Sequence, residues 1–269
     1  MEDINVCLAC DKNYIKYCLV TITSILENNR ENHINFYVMH PVGIEEDYYK
    51  KAIETLKNKY SNFDITFVSI MDISGNELRA DKINFFNEAQ LYRVYIPQMF
   101  PQLHRMLYLD SDIIVRRDIS EFYKMPLGDY YIAAVIDRCN WLKDVLVPEY
   151  FNAGVLLMDL DKLREFDFTL KTLTVLKYRY LPFFDQDTIN MVCNGKIKSI
   201  HREFNYFAQR RDAEYQFKDP TIVHFPSCFR KVLRKEEKSV FCKEWWKYAK
   251  MSPMADQIKE PKMRRSWYY

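Results

Sequence analysis

The first seventy residues constrain the fold more than any other stretch of the chain. Residues 4–10 (Ile-Asn-Val-Cys-Leu-Ala-Cys) form a near-continuous apolar run, the pattern of a parallel strand buried on both faces. From Tyr14 to Asn28 the apolar positions Ile15, Leu19, Ile22, Ile25 and Leu26 fall at helical spacing, and a strand at Ile34–Met39 follows. A helix over 45–59 and a strand at Asp64–Ile70 complete a β-α-β-α-β order. That order calls for a parallel sheet with right-handed crossovers.

Beyond a polar stretch at 72–84, a helix carrying Leu91, Val94, Tyr95 and Ile96 leads into an apolar strand ending at Leu109. Further strands fit Tyr131–Ile136, Gly154–Leu160, Lys196–Ile200 and Thr221–Phe225, with helices near 161–179 and 185–194. The expected fold is α/β: one domain over residues 1–226 around a central mixed, mostly parallel sheet, with a C-terminal helical appendage over 227–269. Ligands of open α/β sheets bind beyond the carboxyl ends of the strands. The polar residues standing there are Asp11, Asn13 and Tyr14, then Asp110 and Asp112, then Asp137, with His224 at the end of the last strand.

Asp110-Ser111-Asp112 interrupts an apolar run that has Met106, Leu107, Tyr108 and Leu109 before it and Ile113, Ile114 and Val115 after it. A buried strand tolerates two acids one residue apart only if they are paired or bind a metal. A divalent cation bridging to a phosphate satisfies that requirement, because hard oxygen ligands hold the metal while it neutralises a leaving diphosphate. An acidic turn between two strands has the same sequence signature.

With 5 glycines in 269 residues, there is no G-x-G-x-x-G and no Walker-type loop. A nucleotide bound here therefore needs a metal for its phosphates. The 7 cysteines are odd in number and scattered through apolar segments, which suits reduced, packed thiols in a cytoplasm. Cys7 and Cys10 have zinc-knuckle spacing, but no second pair accompanies them, and they read as core positions of the first strand. Residues 1–5 are acidic and polar, so no signal peptide is expected here, and no apolar run approaches the roughly 20 residues that span a bilayer. Residues 227–269 carry a net charge of +7, against −5 for the rest. With Trp245, Trp246, Trp267, Tyr268 and Tyr269, this segment reads either as an interfacial anchor for anionic headgroups or as a solvated terminus.

Six segments occur in the order found in glycosyltransferase family 8: Ala9-Cys-Asp-Lys-Asn-Tyr14, Tyr92-Arg93, Tyr108-Leu-Asp-Ser-Asp112, Phe151-Asn-Ala-Gly-Val155, Phe184-Asp-Gln-Asp187 and His224-Phe225. Over about residues 4–230 the chain resembles that family's retaining hexosyltransferases, such as bacterial lipopolysaccharide galactosyl- and glucosyltransferases and glycogenin. The resemblance implies a GT-A fold and transfer of a hexose from UDP-glucose or UDP-galactose. The acceptor would be a glycan such as cell-surface polysaccharide, a lipid-linked sugar or a glycoprotein. With the scattered cysteines, a cytoplasmic enzyme is expected, the basic aromatic tail being a candidate for peripheral contact with the inner membrane face; no nucleic-acid partner is expected.

Carried over position by position, the resemblance puts Ala9, Asp11 and Asn13 against the uridine, with Tyr14 stacking on it. Arg93 would contact the donor sugar or its neighbouring acid. Asp110 and Asp112, flanking Ser111, would ligate Mn²⁺ (or Mg²⁺) together with His224; the imidazole favours Mn²⁺. Asn152, Ala153 and Gly154 would lie against the hexose, Gly154 because backbone must pass close to a ring. Asp185 would take sugar hydroxyls, and Gln186 would sit near the anomeric carbon. Because Gln186 is an amide rather than a strong nucleophile, front-face attack assisted by the leaving phosphate is favoured. Plainer roles stand beside these: helix N-caps for Asp11 and Asp185, a turn at 152–154, and a core imidazole for His224.

The sequence departs from the family after His224, where Phe225-Pro-Ser-Cys-Phe-Arg-Lys231 replaces the usual small-residue turn and Lys-Pro-Trp. Arg230 aligns with the diphosphate-binding lysine and can bind phosphate bidentately, with Lys231 as competitor. That departure keeps a non-catalytic UDP-sugar-binding relative in view. A Mg²⁺-dependent phosphohydrolase of haloacid-dehalogenase type also ends a strand in D-x-D, but on the first strand of its core.

Overall fold

The computed structural model of the protein describes residues 3–70, 88–137, 147–179, 181–208, 219–226, 232 and 240–258. The anticipated opening order is present: β1 (Ile4–Ala9), α1 (Ile15–Asn28), β2 (Ile34–Pro41), α2 (Glu46–Lys57) and β3 (Phe63–Ile70). Helix α3 (Tyr92–Met99) leads to β4 (Arg105–Leu109), β5 (Ile113–Val115), α4 (Ser120–Lys124), β6 (Ile132–Ala134) and β7 (Val155–Asp159). After these come α5 (Leu160–Glu165), α6 (Phe168–Tyr178), α7 (Phe184–Val192), β8 (Ile197–Ser199), β9 (Tyr206–Phe207), β10 (Ile222–His224) and α8 (Val240–Met251).

Seven strands form one sheet in the order β3-β2-β1-β4-β7-β6-β8. Strands β3, β2, β1 and β4 run parallel, β7 is antiparallel to β4 and to β6, and β8 is parallel to β6. This is the mixed, mostly parallel sheet read from the sequence. The chain moves outward from β1 to β3 and then returns to place β4 on the other side of β1. A crevice therefore opens beyond the carboxyl ends of β1 and β4, where the winding reverses.

Alternate residues of these strands feed different cores, as the period of two requires. Val6, Leu8, Leu107 and Leu109 pack with α1 and α2 residues such as Leu19, Ile22 and Leu56, while Cys7, Met106 and Tyr108 pack with Ile96 and Ile189 on the opposite face. Cys7, Cys10, Cys18, Cys193 and Cys242 are free and buried, in keeping with packed thiols.

Three features depart from the expected elements. The helix near 161–179 is two helices, broken where Asp167 takes a left-handed φ of 56°. Strand β5 leaves the main sheet and joins a second one, β5-β10-β9, pairing antiparallel with β10. The tail helix α8 is built into the body: Trp245 is fully buried among Val20, Ile114, Val223 and Phe225, and Tyr248 bonds Asn28 at 2.9 Å. Trp245 is thereby committed to packing and is not available to a membrane surface. Trp246 donates its indole N–H to the Val232 carbonyl. Trp267, Tyr268 and Tyr269 lie outside the described residues, as do the polar stretch 72–84, Arg230 and Lys231. Among the described residues, no helix is long and apolar enough to cross a membrane.

Candidate functional site

A cleft of about 210 Å³ opens at the reversal point between β1 and β4, lined by Ala9, Cys10, Asp11, Tyr14, Ala89, Gln90, Arg93, Tyr108, Asp110, Ser111 and Asp112. Seven of the predicted site residues thus share one cavity. At its β1 end, Asp11 Oδ1 accepts the backbone N–H groups of Asn13 (2.8 Å) and Tyr14 (2.9 Å). Asp11 therefore closes the turn that leads into α1 rather than capping the helix, whose N-cap position is Tyr14, and it still borders the cleft. Tyr14 keeps 41% of its surface exposed at the cleft mouth. Asn13 is exposed and is not among the residues lining the cavity.

The Asp110–Asp112 turn is where the chain crosses from the first sheet to the second. Asp110 N–H still bonds Gly154 O (2.9 Å), while Asp112 O accepts Phe225 N–H (3.0 Å) from the second sheet. Buried Ser111 donates to Ala9 O at 3.0 Å, and Thr21 of α1 donates to the carbonyls of Ser111 and Ile113. With its backbone satisfied in this way, the turn presents two carboxylates toward His224, whose Nε2 lies 3.2 Å from Asp112 Oδ1 and 3.7 Å from Asp110 Oδ2.

One ligand atom from each of Asp110, Asp112 and His224 lies within 4.8 Å of the others. Two hard oxygens and one imidazole nitrogen at this spacing suit Mn²⁺. Burial works to keep His224 neutral, yet Asp112 and then Asp110 lift its pKa above the ordinary imidazole value. A pocket that overcomes desolvation to hold positive charge is equally suited to a cation.

Gly154 lacks a side chain for a reason that the sequence did not reveal. A Cβ there would lie 2.3 Å from His224 Cε1 and 2.8 Å from Asp110 Oδ2, so the space is taken by the His224 and Asp110 side chains.

Arg93 joins this triad to the residues expected around the hexose. Its guanidinium lies 2.9 Å from Asp110 Oδ1 and 3.0 Å from Asp185 Oδ2, and over the Tyr108 ring. It also donates to the carbonyls of Ala153 (2.5 Å) and Gln90 (3.0 Å). The Nε hydrogen points at Gln90 O, so the contact with Asp185 is coulombic, and Asp185 Oδ2 remains buried with no hydrogen-bond donor. Burial pushes the Asp185 carboxyl up to about 6, against the opposing pull of Arg93. A buried carboxylate oxygen without a donor costs free energy that a ligand hydroxyl would recover.

The other half of the site is a closed hydrogen-bond network. Gln186 Oε1 accepts from Asn152 Nδ2 (3.1 Å) and Ala153 N–H (3.0 Å). Its Nε2 donates to Asp137 (3.3 Å) and to the Tyr150 hydroxyl (3.2 Å). Tyr150 in turn donates to Asp187, which also accepts Phe183 N–H at 2.8 Å. Phe184, just before Asp185, has a left-handed φ of 45°. That conformation is unfavourable for a bulky residue, and packing of the Phe184 ring with Leu91 and Leu176 offsets its cost.

Of the other predicted site residues, Ala153, Gly154, Asp185 and His224 contact residues that line the cleft. Asn152 and Gln186 reach it one step further through Ala153 and Gly154. Asn13 touches it only through its backbone bond to Asp11, and Arg230 lies outside the described residues. Sequence reasoning did not name Asn205, Tyr108, Tyr150 or Asp187 for this site, and placed Asp137 only at a strand end. The residue types of Tyr150 and Asp187, flanking the Phe151–Val155 and Phe184–Gln186 segments, were visible; their pairing across 37 residues was not.

The sequence model of the family described as Glycosyl transferase family 8 matches residues 5–229. The lipopolysaccharide 1,2-glucosyltransferase of Escherichia coli K12 is 29% identical over 216 residues, covering 76% of this chain and 62% of that protein. The lipopolysaccharide 1,3-galactosyltransferase of Salmonella typhimurium is 26% identical over 237 residues, covering 82% and 68%. The chain spans about two thirds or less of the length of most of the curated relatives that it matches best. Among solved structures, the galactosyltransferase LgtC, crystallised with donor and acceptor sugar analogs, superimposes with a TM-score of 0.78 at 21% identity, over 93% of this chain and 96% of that one. That likeness is one of fold, the GT-A arrangement.

Proposed function

Since the chain belongs to glycosyltransferase family 8, we propose that it transfers a hexose, with retention of anomeric configuration, from UDP-glucose or UDP-galactose to a carbohydrate acceptor. The acceptor classes are a glycan, a lipid-linked sugar or a glycoprotein, as suggested by relatives named for lipopolysaccharide. Residues 1–226 carry this activity in our reading, in the cytoplasm, and the basic segment 227–269 is left for acceptor or inner-membrane contact through residues other than Trp245. The observation that carries the proposal is the convergence of Asp110, Asp112 and His224 beside a buried, donor-free Asp185 oxygen at the sheet's reversal point.

Asp11 and Tyr14 would receive the uridine, the carboxylate accepting from the base and the ring stacking on it. Asp110, Asp112 and His224 would hold Mn²⁺, with Mg²⁺ as the alternative; bound there, the cation supplies Lewis-acid stabilisation of the departing diphosphate. Arg230, with Lys231 as competitor, is proposed to reach the same diphosphate. Asp185 accepts hydroxyls of the hexose, and Arg93 fixes the spacing between that acid and Asp110. Asn152 and Ala153 form the wall behind the sugar.

Gln186 is held so that it cannot be a nucleophile. Both acceptor positions of Oε1 are taken by Asn152 and Ala153, and an amide oxygen so engaged has no lone pair to offer an anomeric carbon. This supports front-face attack, with the acceptor hydroxyl delivering its proton to the leaving phosphate while the buried walls exclude water. The test is incubation with UDP-glucose and UDP-galactose, with and without Mn²⁺. Slow UDP release from one donor, abolished by EDTA and by Asp112→Asn, is expected. Tight UDP binding with no turnover of either donor would contradict the transferase reading and favour a binding module.

A further inference from the structure

We propose that Asn205 is a positioning residue that fixes the tautomer of His224, so that Nε2 is offered to the cation. Asn205 lies immediately before β9, which pairs in parallel with β10 and sets Phe207 opposite His224. Its side chain is 2% exposed, and no motif in the sequence marks it.

The orientation of each group follows from a backbone anchor. Gly154 N–H can only donate, and it lies 2.9 Å from Asn152 Oδ1. That atom is therefore the amide oxygen, consistent with Asn152 Nδ2 lying 3.2 Å from a carboxylate oxygen of Asp137. Asn205 places its Nδ2 at 2.8 Å from the same Asn152 oxygen, so its own oxygen faces the other way. Asn205 Oδ1 then lies 2.9 Å from His224 Nδ1. An amide oxygen can only accept, so Nδ1 carries the proton.

The opposite ring nitrogen, Nε2, is the one directed at Asp110 and Asp112. With the proton held on Nδ1, the Nε2 lone pair is available to a metal; the other tautomer would turn an N–H toward the cation and a lone pair toward Asn205 Oδ1. Metal-ligating imidazoles depend on such a partner at the second nitrogen for both orientation and basicity. The same chain of bonds links the ligand to Gln186 through Asn152, so the sugar wall and the metal site share one set of amide orientations.

This inference rests on the assignment of Asp110, Asp112 and His224 as ligands, and the experiment separates the two. Mn²⁺ affinity is measured by the EPR signal of free Mn²⁺ for wild type, Asp112→Asn, Asn205→Leu and Asn205→Asp. Asn205→Leu should bind Mn²⁺ about 10–100-fold more weakly than wild type. Asn205→Asp, which restores an acceptor for Nδ1, should recover most of that loss.

In parallel, the imidazole nitrogens of metal-free wild type are observed by ¹⁵N NMR at a pH well above His224 titration, with His224→Gln for assignment. Protonation on Nδ1 is expected, and this spectrum needs no Asn205 variant to fold. Mn²⁺ binding by Asn205→Leu within about twofold of wild type, or a wild-type imidazole protonated on Nε2, overturns the proposal alone. A wild type that binds no Mn²⁺, or an Asp112→Asn that binds it unimpaired, overturns the ligand assignment and the proposal with it.

Discussion

The β1 end of the cleft is one continuous stretch, residues 9–14, in which Asp11 accepts the N–H groups of Asn13 and Tyr14 and Tyr14 is open to solvent, tied to the rest of the site through the Ser111 bond to Ala9 O. The end expected to hold the metal and the hexose draws Arg93, Asp110, Asp112, Gly154, Asp185, Gln186, Asn205 and His224 from distant parts of the chain and both sheets, and its members are mostly buried. The first is local, so a substitution there should weaken one contact and leave the rest standing. The second is a network in which each group orients the next, so a change at one position should spread. Substitutions on the two sides test this difference.

Gly154→Ala carries the largest expected effect. The added Cβ cannot avoid the His224 ring and Asp110, so turnover should fall by about 100-fold or more, as for a misplacement near 1 Å. Mn²⁺ affinity should fall with it, although alanine is otherwise the mildest of changes. Retained metal binding would show that the two ends are not built differently.

Asp185→Asn should lower kcat/KM by about 10–100-fold, the loss of a hydrogen bond to a charged acceptor. Its effect on stability should have the opposite sign. The folded pKa, about 6, lies above the ordinary value of 3.8. Ionising Asp185 therefore costs the fold stability as pH rises from about 4 to 6, and the cost is complete above that window. Because Arg93 keeps Asp110 and two carbonyls as partners, the metal-free variant should melt higher than wild type at pH 8 and no higher near pH 4. A variant that melts lower at pH 8 would mean that the Arg93–Asp185 pair is net stabilising.

The smallest effects belong to the loop. Asp11→Ala and Tyr14→Ala should each cost about 1–2 kcal/mol of UDP affinity, visible in KM for the donor with kcat and Mn²⁺ affinity unchanged. A fall in Mn²⁺ affinity in either variant would couple the two ends.

This contrast also explains what the sequence made legible. The β1–α1–β2–α2–β3 order was readable because each element declares itself locally, and the Asp110–Asp112 pair was readable because acids inside an apolar run stand out. The placement of D-x-D just after β4, beside β1, also separates this chain from phosphohydrolases that carry the motif on their first strand. The second sheet was not legible, since β5 and β9 are too short to show a period and their pairing with β10 joins residues about 110 and 17 positions apart. Asn205 was hidden for the same reason: its role exists only once β9 lies beside β10. The left-handed Phe184 depends on backbone geometry that its residue type does not advertise, and Asp167, a residue type that tolerates positive φ, marks its break only once the backbone is seen.

If the loop and the network are two halves of one UDP-hexose site joined through a cation, calorimetric titration of UDP and of uridine will register the cation in one ligand and not in the other. UDP should bind at least about tenfold more tightly with Mn²⁺ than in EDTA, Asp112→Asn should remove this gain, and uridine should bind equally under both conditions. UDP binding that is indifferent to Mn²⁺ in the wild-type protein would contradict a site joined in this way.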